Sequence, residues 1–104
     1  MKTMPLTRAG HYTIGGDPGG DFFASPGDPA FWLHHAQIDR IWWIWQNQDF
    51  KNRQNVISGL KSLIDPTAGD GTLDDWLEMG VLGTGTTIRD TTSTASGPFC
   101  YIYV

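Results

Sequence analysis

Cysteine, histidine and positive charge are scarce in this sequence of 104 residues. The single cysteine, Cys100, excludes an internal disulfide framework. Seven Lys and Arg against eleven Asp and Glu give a net charge of −4 without a basic cluster, which argues against a nucleic-acid partner. No apolar run is long enough to cross a membrane, and we expect neither a membrane segment nor a signal peptide in the chain. The composition favours no particular cellular compartment.

Aromatic residues are abundant by contrast, and four of the five tryptophans lie in residues 25–46. Asp28 suits the N-cap and Pro29 the first helical position, and residues 30–46 contain no Gly or Pro. This pattern predicts a helix of about four to five turns. Because its apolar residues point in nearly all directions, we expect the helix to be buried on most faces. So small a chain has few elements to cover it, so we expect partner elements to pack against it.

The remaining segments predict short elements joined by loops. Gly15–Asp21 is a glycine-rich loop. Residues 55–64 predict a short helix, and Thr72–Asp75, which resembles a capping box, predicts another. Residues 84–97 favour irregular structure or an edge strand, and the aromatic residues 99–104 favour a strand. We therefore expect a mainly α fold with a loop-rich C-terminal part and a short β-strand.

The three histidines, His11, His34 and His35, are the candidates for metal chemistry. Adjacent helical residues point about 100° apart, so His34 and His35 are not expected to bind one metal together. One of them would face the site and the other would be hydrogen-bonded beside it. His11 reaches the same site if the glycine loop folds back, and the Asp39 carboxylate could hold the second N–H of an imidazole. The residues alone leave a metal role open, because a buried histidine is often only a satisfied polar group.

The run of residues 28–42, DPAFWLHHAQIDRIW, resembles the second copper-site (CuB) motif of tyrosinases, catechol oxidases and molluscan haemocyanins. Gly10-His11-Tyr12 and its glycine loop also resemble short fungal tyrosinase-like proteins, and the likeness covers nearly everything after Gly10. It implies a type-3 copper oxidoreductase, a monooxygenase or polyphenol oxidase that uses dioxygen to oxidise phenols or o-diphenols to o-quinones. It also implies a di-copper four-helix bundle in which each copper is bound by three histidines.

The resemblance assigns a role to each matching side chain. His11 and His35 would be copper ligands, and His34 would be the buried neighbour that supports the site. Phe31 would pack over the copper, Asp39 would orient the site, and Phe22 would limit substrate access. Phenolic substrate and dioxygen would be the small-molecule partners.

The departures from the family pattern concern the copper ligands. Thr7 stands four residues before His11, where the first CuB ligand is expected, and Thr is a poor copper ligand. The family needs six histidines and this sequence has three, which leaves none for the first copper site (CuA). We therefore expect residues 1–104 to be a partial tyrosinase copper-binding domain, a CuB half inactive alone. The alternative is a non-catalytic pseudoenzyme or interaction fragment that pairs with a CuA-bearing chain; the histidine count excludes an oxygen carrier.

Overall fold

The computed structural model describes residues 4–62 and 64–104, and helix is the commonest regular structure within these ranges. The helices and strands in chain order are α1 Met4–Ile14, α2 Pro29–Asn47, α3 Phe50–Arg53, β1 Trp76–Leu77 and β2 Thr86–Thr87. Single turns of 3-10 helix lie at Ser25–Gly27, Pro66–Ala68, Gly80–Leu82 and Arg89–Thr91. The predicted mainly α fold with a little β structure is confirmed. No described helix is long and apolar enough to span a membrane.

The chain divides into two compact units, an N-terminal unit Met1–Ile44 and a C-terminal unit Trp45–Val104. The division falls inside α2, so each unit contains part of that helix. The N-terminal unit holds all three histidines, and the C-terminal unit holds the strands.

The start of α2 is the one that the sequence predicts. The Asp28 carboxylate accepts a hydrogen bond from the Ala30 N–H at 2.9 Å, and the Asp28 carbonyl accepts from the Phe31 N–H at 3.0 Å. These bonds satisfy N–H groups that have no partner inside the first helical turn. At the other end, the Arg53 guanidinium donates to the Trp45 carbonyl at 3.1 Å. The predicted bounds of α2 are confirmed to within one residue.

The expected burial of α2 is wrong for the described chain. Trp32 is 63% exposed and Leu33 is 76% exposed, and among the described residues no hydrophobic side chain is buried. The physical reason is the small number of elements in the N-terminal unit, where α1 and one loop accompany α2. A helix with apolar residues on most faces needs neighbours on most sides.

Helix α1 ends where the glycine loop begins. Gly15 has φ +63°, a left-handed conformation that glycine adopts without strain, and its N–H donates to the His11 carbonyl at 2.9 Å. Further along, the Asp21 carboxylate accepts from the Phe23 N–H at 2.8 Å and the Ala24 N–H at 2.6 Å, which forms a tight turn before α2. The predicted loop is confirmed, and it returns the chain to α2.

Within the described residues of the C-terminal unit, the structure lacks the helix predicted over residues 55–64 and the strand predicted over residues 99–104. Residues 55–62 and 64 contain no helix, although the prediction covered residues 55–64, of which Leu63 lies outside the described residues. Gly59 has φ +142°, and the Lys61 N–H donates to the Gly69 carbonyl at 2.9 Å, so this segment pairs with a distant loop. The predicted strand at residues 99–104 is also absent; the Tyr101 N–H instead makes a single bond to the Thr94 carbonyl at 2.9 Å.

The helix predicted to begin at Thr72–Asp75 is a turn followed by a strand. The Thr72 N–H does donate to the Asp75 carboxylate at 2.9 Å, a contact that a capping residue also makes. The chain then continues into β1, which pairs antiparallel with β2 with Trp76 opposite Thr87. The hydrogen bond typical of a capping box is present, but backbone pairing of β1 with β2 determines the conformation. The expected edge strand within residues 84–97 is confirmed by β2.

Candidate metal centre

His11 on α1 and His35 on α2 bring their Nε2 atoms to 3.2 Å from each other. The Nδ1–H of His11 donates to the Gly19 carbonyl at 3.2 Å, because a carbonyl oxygen can only accept. Neutral His11 therefore carries a lone pair on Nε2, which accepts a hydrogen bond from the Nε2–H of His35. A metal ion in place of this hydrogen would require His35 to carry its proton on Nδ1 instead. The glycine loop folds back to supply this carbonyl, and a Cβ at Gly19 would lie 2.9 Å from both the Gly15 carbonyl oxygen and the Ile14 side chain. Only glycine fits there without displacement.

The separation of the two nitrogens suits a shared metal ion. Imidazole nitrogens bind metal at about 2.0–2.1 Å, so two ligands at neighbouring corners of a coordination sphere lie about 2.9–3.3 Å apart. The observed 3.2 Å falls within that range. Burial, together with the nearby charges of His11 and His34, lowers the pKa of His35. A lowered pKa favours neutral imidazole, the form that binds metals.

Phe31 lies one turn before His35 on α2 and stacks on its ring. The ring centroids are 4.1 Å apart and the planes differ by 27°. Phe31 also lies 5.8 Å from the His11 ring in a tilted arrangement. The aromatic ring thus touches both histidines and restricts the orientation of His35.

His34 points elsewhere and binds α1. Its Nε2–H donates to the Thr7 carbonyl at 3.0 Å, so this nitrogen has no lone pair for a metal. Its ring meets the rings of His11 and His35 nearly at right angles, with centroids 5.5 Å and 5.6 Å away. The structure thus brings all three histidines together but turns only two of them towards each other.

The other expected site residues lie at the margin of this cluster or outside it. Asp39 is partly buried one turn after His35 on α2. Phe22 is 67% exposed in the loop, with its ring packed edge-on against Phe23 at 5.0 Å. Thr7 lies one turn before His11 on α1, at the position expected for a further ligand. Within the described residues, no group of three or more His, Cys, Asp or Glu side chains could hold a metal ion.

Sequence reasoning anticipated the glycine loop but missed the role of Gly10. A Cβ at Gly10 would collide with the His34 ring, so the imidazole occupies space that any other residue would fill. The signal was present, because glycine inside a helix lowers its stability relative to alanine. Glycine at Gly10 within α1 therefore points to a close approach by another group.

Comparisons with known proteins show which family this chain resembles. The family model described as the common central domain of tyrosinase matches residues 3–48. Tyrosinase P of Aspergillus terreus is 38% identical over 95 residues, covering 90% of this chain and 26% of the relative. An N-acetyl-6-hydroxytryptophan oxidase of Emericella nidulans is 36% identical over 100 residues, covering 90% of this chain and 27% of the relative.

A solved structure extends the likeness to three dimensions. A polyphenol oxidase variant from Thermothelomyces thermophila superposes with a TM-score of 0.71 at 42% sequence identity, covering 90% of this chain and 28% of that chain. The chain thus spans about a quarter of the length of these relatives. The chain belongs to the tyrosinase family, which is a family of copper enzymes.

Proposed function

We propose that this chain is the CuB half of a tyrosinase-like copper oxidoreductase and that His11 and His35 bind one copper ion through their Nε2 atoms. The observation that carries the proposal is the 3.2 Å separation of these atoms. Imidazole is a preferred ligand of copper. Copper, when bound, would supply the redox chemistry by which phenols or o-diphenols are oxidised to o-quinones with dioxygen.

The surrounding residues hold the two ligands in place. The Gly19 carbonyl fixes the His11 proton on Nδ1, which keeps Nε2 available. Phe31 restrains the His35 ring by stacking and covers one side of it, which limits access of water. Asp39, one turn further along α2, is proposed to orient the site, and Phe22 is proposed to limit access of phenolic substrates.

The chain is proposed to need another chain for catalysis. Two imidazoles face each other, whereas a coupled pair of coppers takes six histidines and the sequence holds three. Thr7 stands at the third position, where a hydroxyl replaces the imidazole that copper prefers. The chain alone is therefore expected to hold at most one copper and to leave catechol unoxidised, and a CuA-bearing partner would supply the remaining ligands.

A second candidate function is a non-catalytic interaction fragment. The observation that favours it is the exposure of apolar side chains on α2, where Trp32 and Leu33 are 63% and 76% exposed. Contiguous apolar surface of this kind marks a protein contact or an aggregation site. In this case the chain would bind a CuA-bearing partner without holding copper itself.

Copper per chain separates the two candidates. The chain is loaded with Cu(I) without oxygen, passed through gel filtration and analysed for copper, beside the variant Thr7→His. About one copper per chain, held more tightly in Thr7→His, supports the CuB proposal because a third imidazole one turn before His11 would join the site. No copper in either protein overturns it, and a stable complex of that copper-free chain with a CuA-bearing chain supports the second candidate. Quinone formation from catechol by the chain alone overturns the expected inactivity.

A further inference from the structure

The two helices that carry the ligands contact each other at Gly10 of α1. Glycine has no side chain, and we call the space that a Cβ would fill there the gap. Gly10 precedes His11, and a Cβ at Gly10 would overlap Cε1, Nδ1 and Nε2 of the His34 ring. The His34 ring therefore lies directly on the backbone of α1. So close an approach requires glycine at this position.

A hydrogen bond fixes the His34 ring in the gap. The Nε2–H of His34 reaches the Thr7 carbonyl at 3.0 Å, so it joins α2 to α1. The Thr7 carbonyl and Gly10 both lie in the turn of α1 that precedes His11. Together they limit both sliding and rotation of α1 against α2, because contact sets the depth of the ring and the bond sets its direction.

The ligand spacing is sensitive to such movements. Each helix contributes one ligand, so a shift of about 1 Å between α1 and α2 would move the 3.2 Å separation outside the range of about 2.9–3.3 Å that suits a shared metal. His34 is the direct neighbour of His35, and Thr7 and Gly10 lie within one turn of His11. The contact that joins the helices thus lies beside both ligands.

We propose that His34 is a positioning residue for the metal centre, and that its bond to the Thr7 carbonyl across Gly10 sets the distance between His11 and His35. The proposal deepens the proposed function and rests on it for the role of the metal. His34 acts through the backbone of α1, without binding copper. Replacing a residue that orients a metal ligand typically lowers metal affinity by about 10–100-fold.

The first test is Gly10→Ala, with copper affinity measured by competition against a chelator. The added methyl group would push His34 out of the gap, and we expect about a 10–100-fold loss of affinity. Alanine favours helix more than glycine does, so a loss cannot arise from weakening of α1. The control is Ala9→Ser at the exposed neighbouring position, with an expected change below about threefold. Unchanged affinity in Gly10→Ala overturns the proposal.

The second test separates the hydrogen bond from simple filling of space. In His34→Gln the side-chain amide can place its N–H near the position of Nε2 and donate to the Thr7 carbonyl, whereas His34→Leu fills the gap without a donor. We expect affinity within about threefold of the original chain in His34→Gln and a loss of about 10–100-fold in His34→Leu. Equal affinities in the two variants overturn the role of the hydrogen bond.

The third measurement works without copper and so separates this proposal from the proposed function. Nitrogen-15 NMR of the metal-free chain shows which ring nitrogen of His34 carries the proton. A proton on Nε2 that is lost from that position in Gly10→Ala supports the contact even if the chain binds no copper. A proton on Nδ1 of His34 in the original chain overturns the contact, whatever the copper result.

Discussion

Different kinds of interaction stabilise the interior of each of the two units. In the N-terminal unit, α1 and α2 bring aromatic rings together, as in the packing of the His11 ring against Phe31, with centroids 5.8 Å apart. In the C-terminal unit, polar side chains bind backbone groups, and Gln46 is the leading case. Gln46 is 3% exposed, and its side-chain N–H group donates to the carbonyls of Gln54 and Thr92, each at 3.0 Å.

The candidate metal ligands lie in the N-terminal unit, whereas the hydrogen bonds of Gln46 stabilise the C-terminal unit. Both facing imidazoles belong to the N-terminal unit, where a change alters which nitrogen points where. The hydrogen bonds of Gln46 lie within the C-terminal unit, where a change leaves backbone groups without a partner. Substitutions in the first unit should therefore change metal affinity, and substitutions in the second should change stability.

The largest expected effect is the loss of copper binding in His35→Ala. Removal of one of two imidazoles leaves a single protein ligand, and we expect copper affinity to fall roughly 100-fold or more, as measured by chelator competition. Gln37→Ala, at an exposed position of the same helix, is the matched control and should retain the original affinity. If His35→Ala and Gln37→Ala bind copper equally well, the ligands lie elsewhere and the contrast between the units fails.

The next effect is a loss of stability in Gln46→Leu. Leucine has a similar size but no donor, so the carbonyls of Gln54 and Thr92 lose their hydrogen bonds, and we expect about 1–3 kcal/mol of destabilisation. Urea unfolding gives the free energy, and amide hydrogen exchange near Thr92 locates the change. The control is Gln37→Leu at an exposed position of α2, expected within about 0.5 kcal/mol of the original chain.

The effect of Gln46→Leu on copper binding tests whether the two units are energetically independent. We expect Gln46→Leu to change copper affinity by less than about twofold, because separated sites act independently. A loss of copper as large as that in His35→Ala would show that the two units are not energetically separate.

The contrast also explains how much the sequence could predict. The start of α2 was readable because Asp28, Pro29 and an uninterrupted helical run all favour the same element. The helix expected over residues 55–64 failed because apolar spacing does not register that Lys61 pairs with Gly69. Hydrogen bonds between separate segments, such as Lys61 N–H to the Gly69 carbonyl, leave no periodic pattern in a sequence.

The candidate metal centre shows the same limit at the level of single contacts. The sequence indicated that His34 and His35 are not expected to bind one metal together, and the resemblance assigned the copper-ligand role to His35. The roles of Gly10 and of the Gly19 carbonyl depend on how closely α1 is approached by α2 and by the loop, and this distance appears only in three dimensions. Residue types could therefore be predicted, whereas contacts that position them could not.

A smaller effect is expected from Asp28→Ala at the start of α2. The carboxylate would no longer accept from the Ala30 N–H, and loss of an N-cap typically costs about 1 kcal/mol. Thermal unfolding gives the size of the loss, and faster hydrogen exchange at Ala30 locates it. Asp28→Ser retains a capping oxygen and should restore most of the stability. Equal melting of the two variants would show that the cap does not determine where α2 begins.

The smallest effect is a pH-dependent loosening of the turn at Asp75 in the C-terminal unit. Its carboxylate accepts from the Lys61 ammonium at 2.6 Å and from the Thr72 N–H at 2.9 Å, and these bonds lower the pKa of Asp75. A lowered pKa means that the stabilisation is complete above the usual aspartate pKa of about 3.9 and is lost as the pH falls through the lower folded value.

We expect Lys61→Met to raise the pKa of Asp75, so that the Thr72 amide signal changes at a higher pH in an NMR titration. Arg89→Met removes the partner of Asp74 instead and should leave the Asp75 titration in place. If both variants shift Asp75 equally, overall charge sets its pKa and the local hydrogen bonds do not.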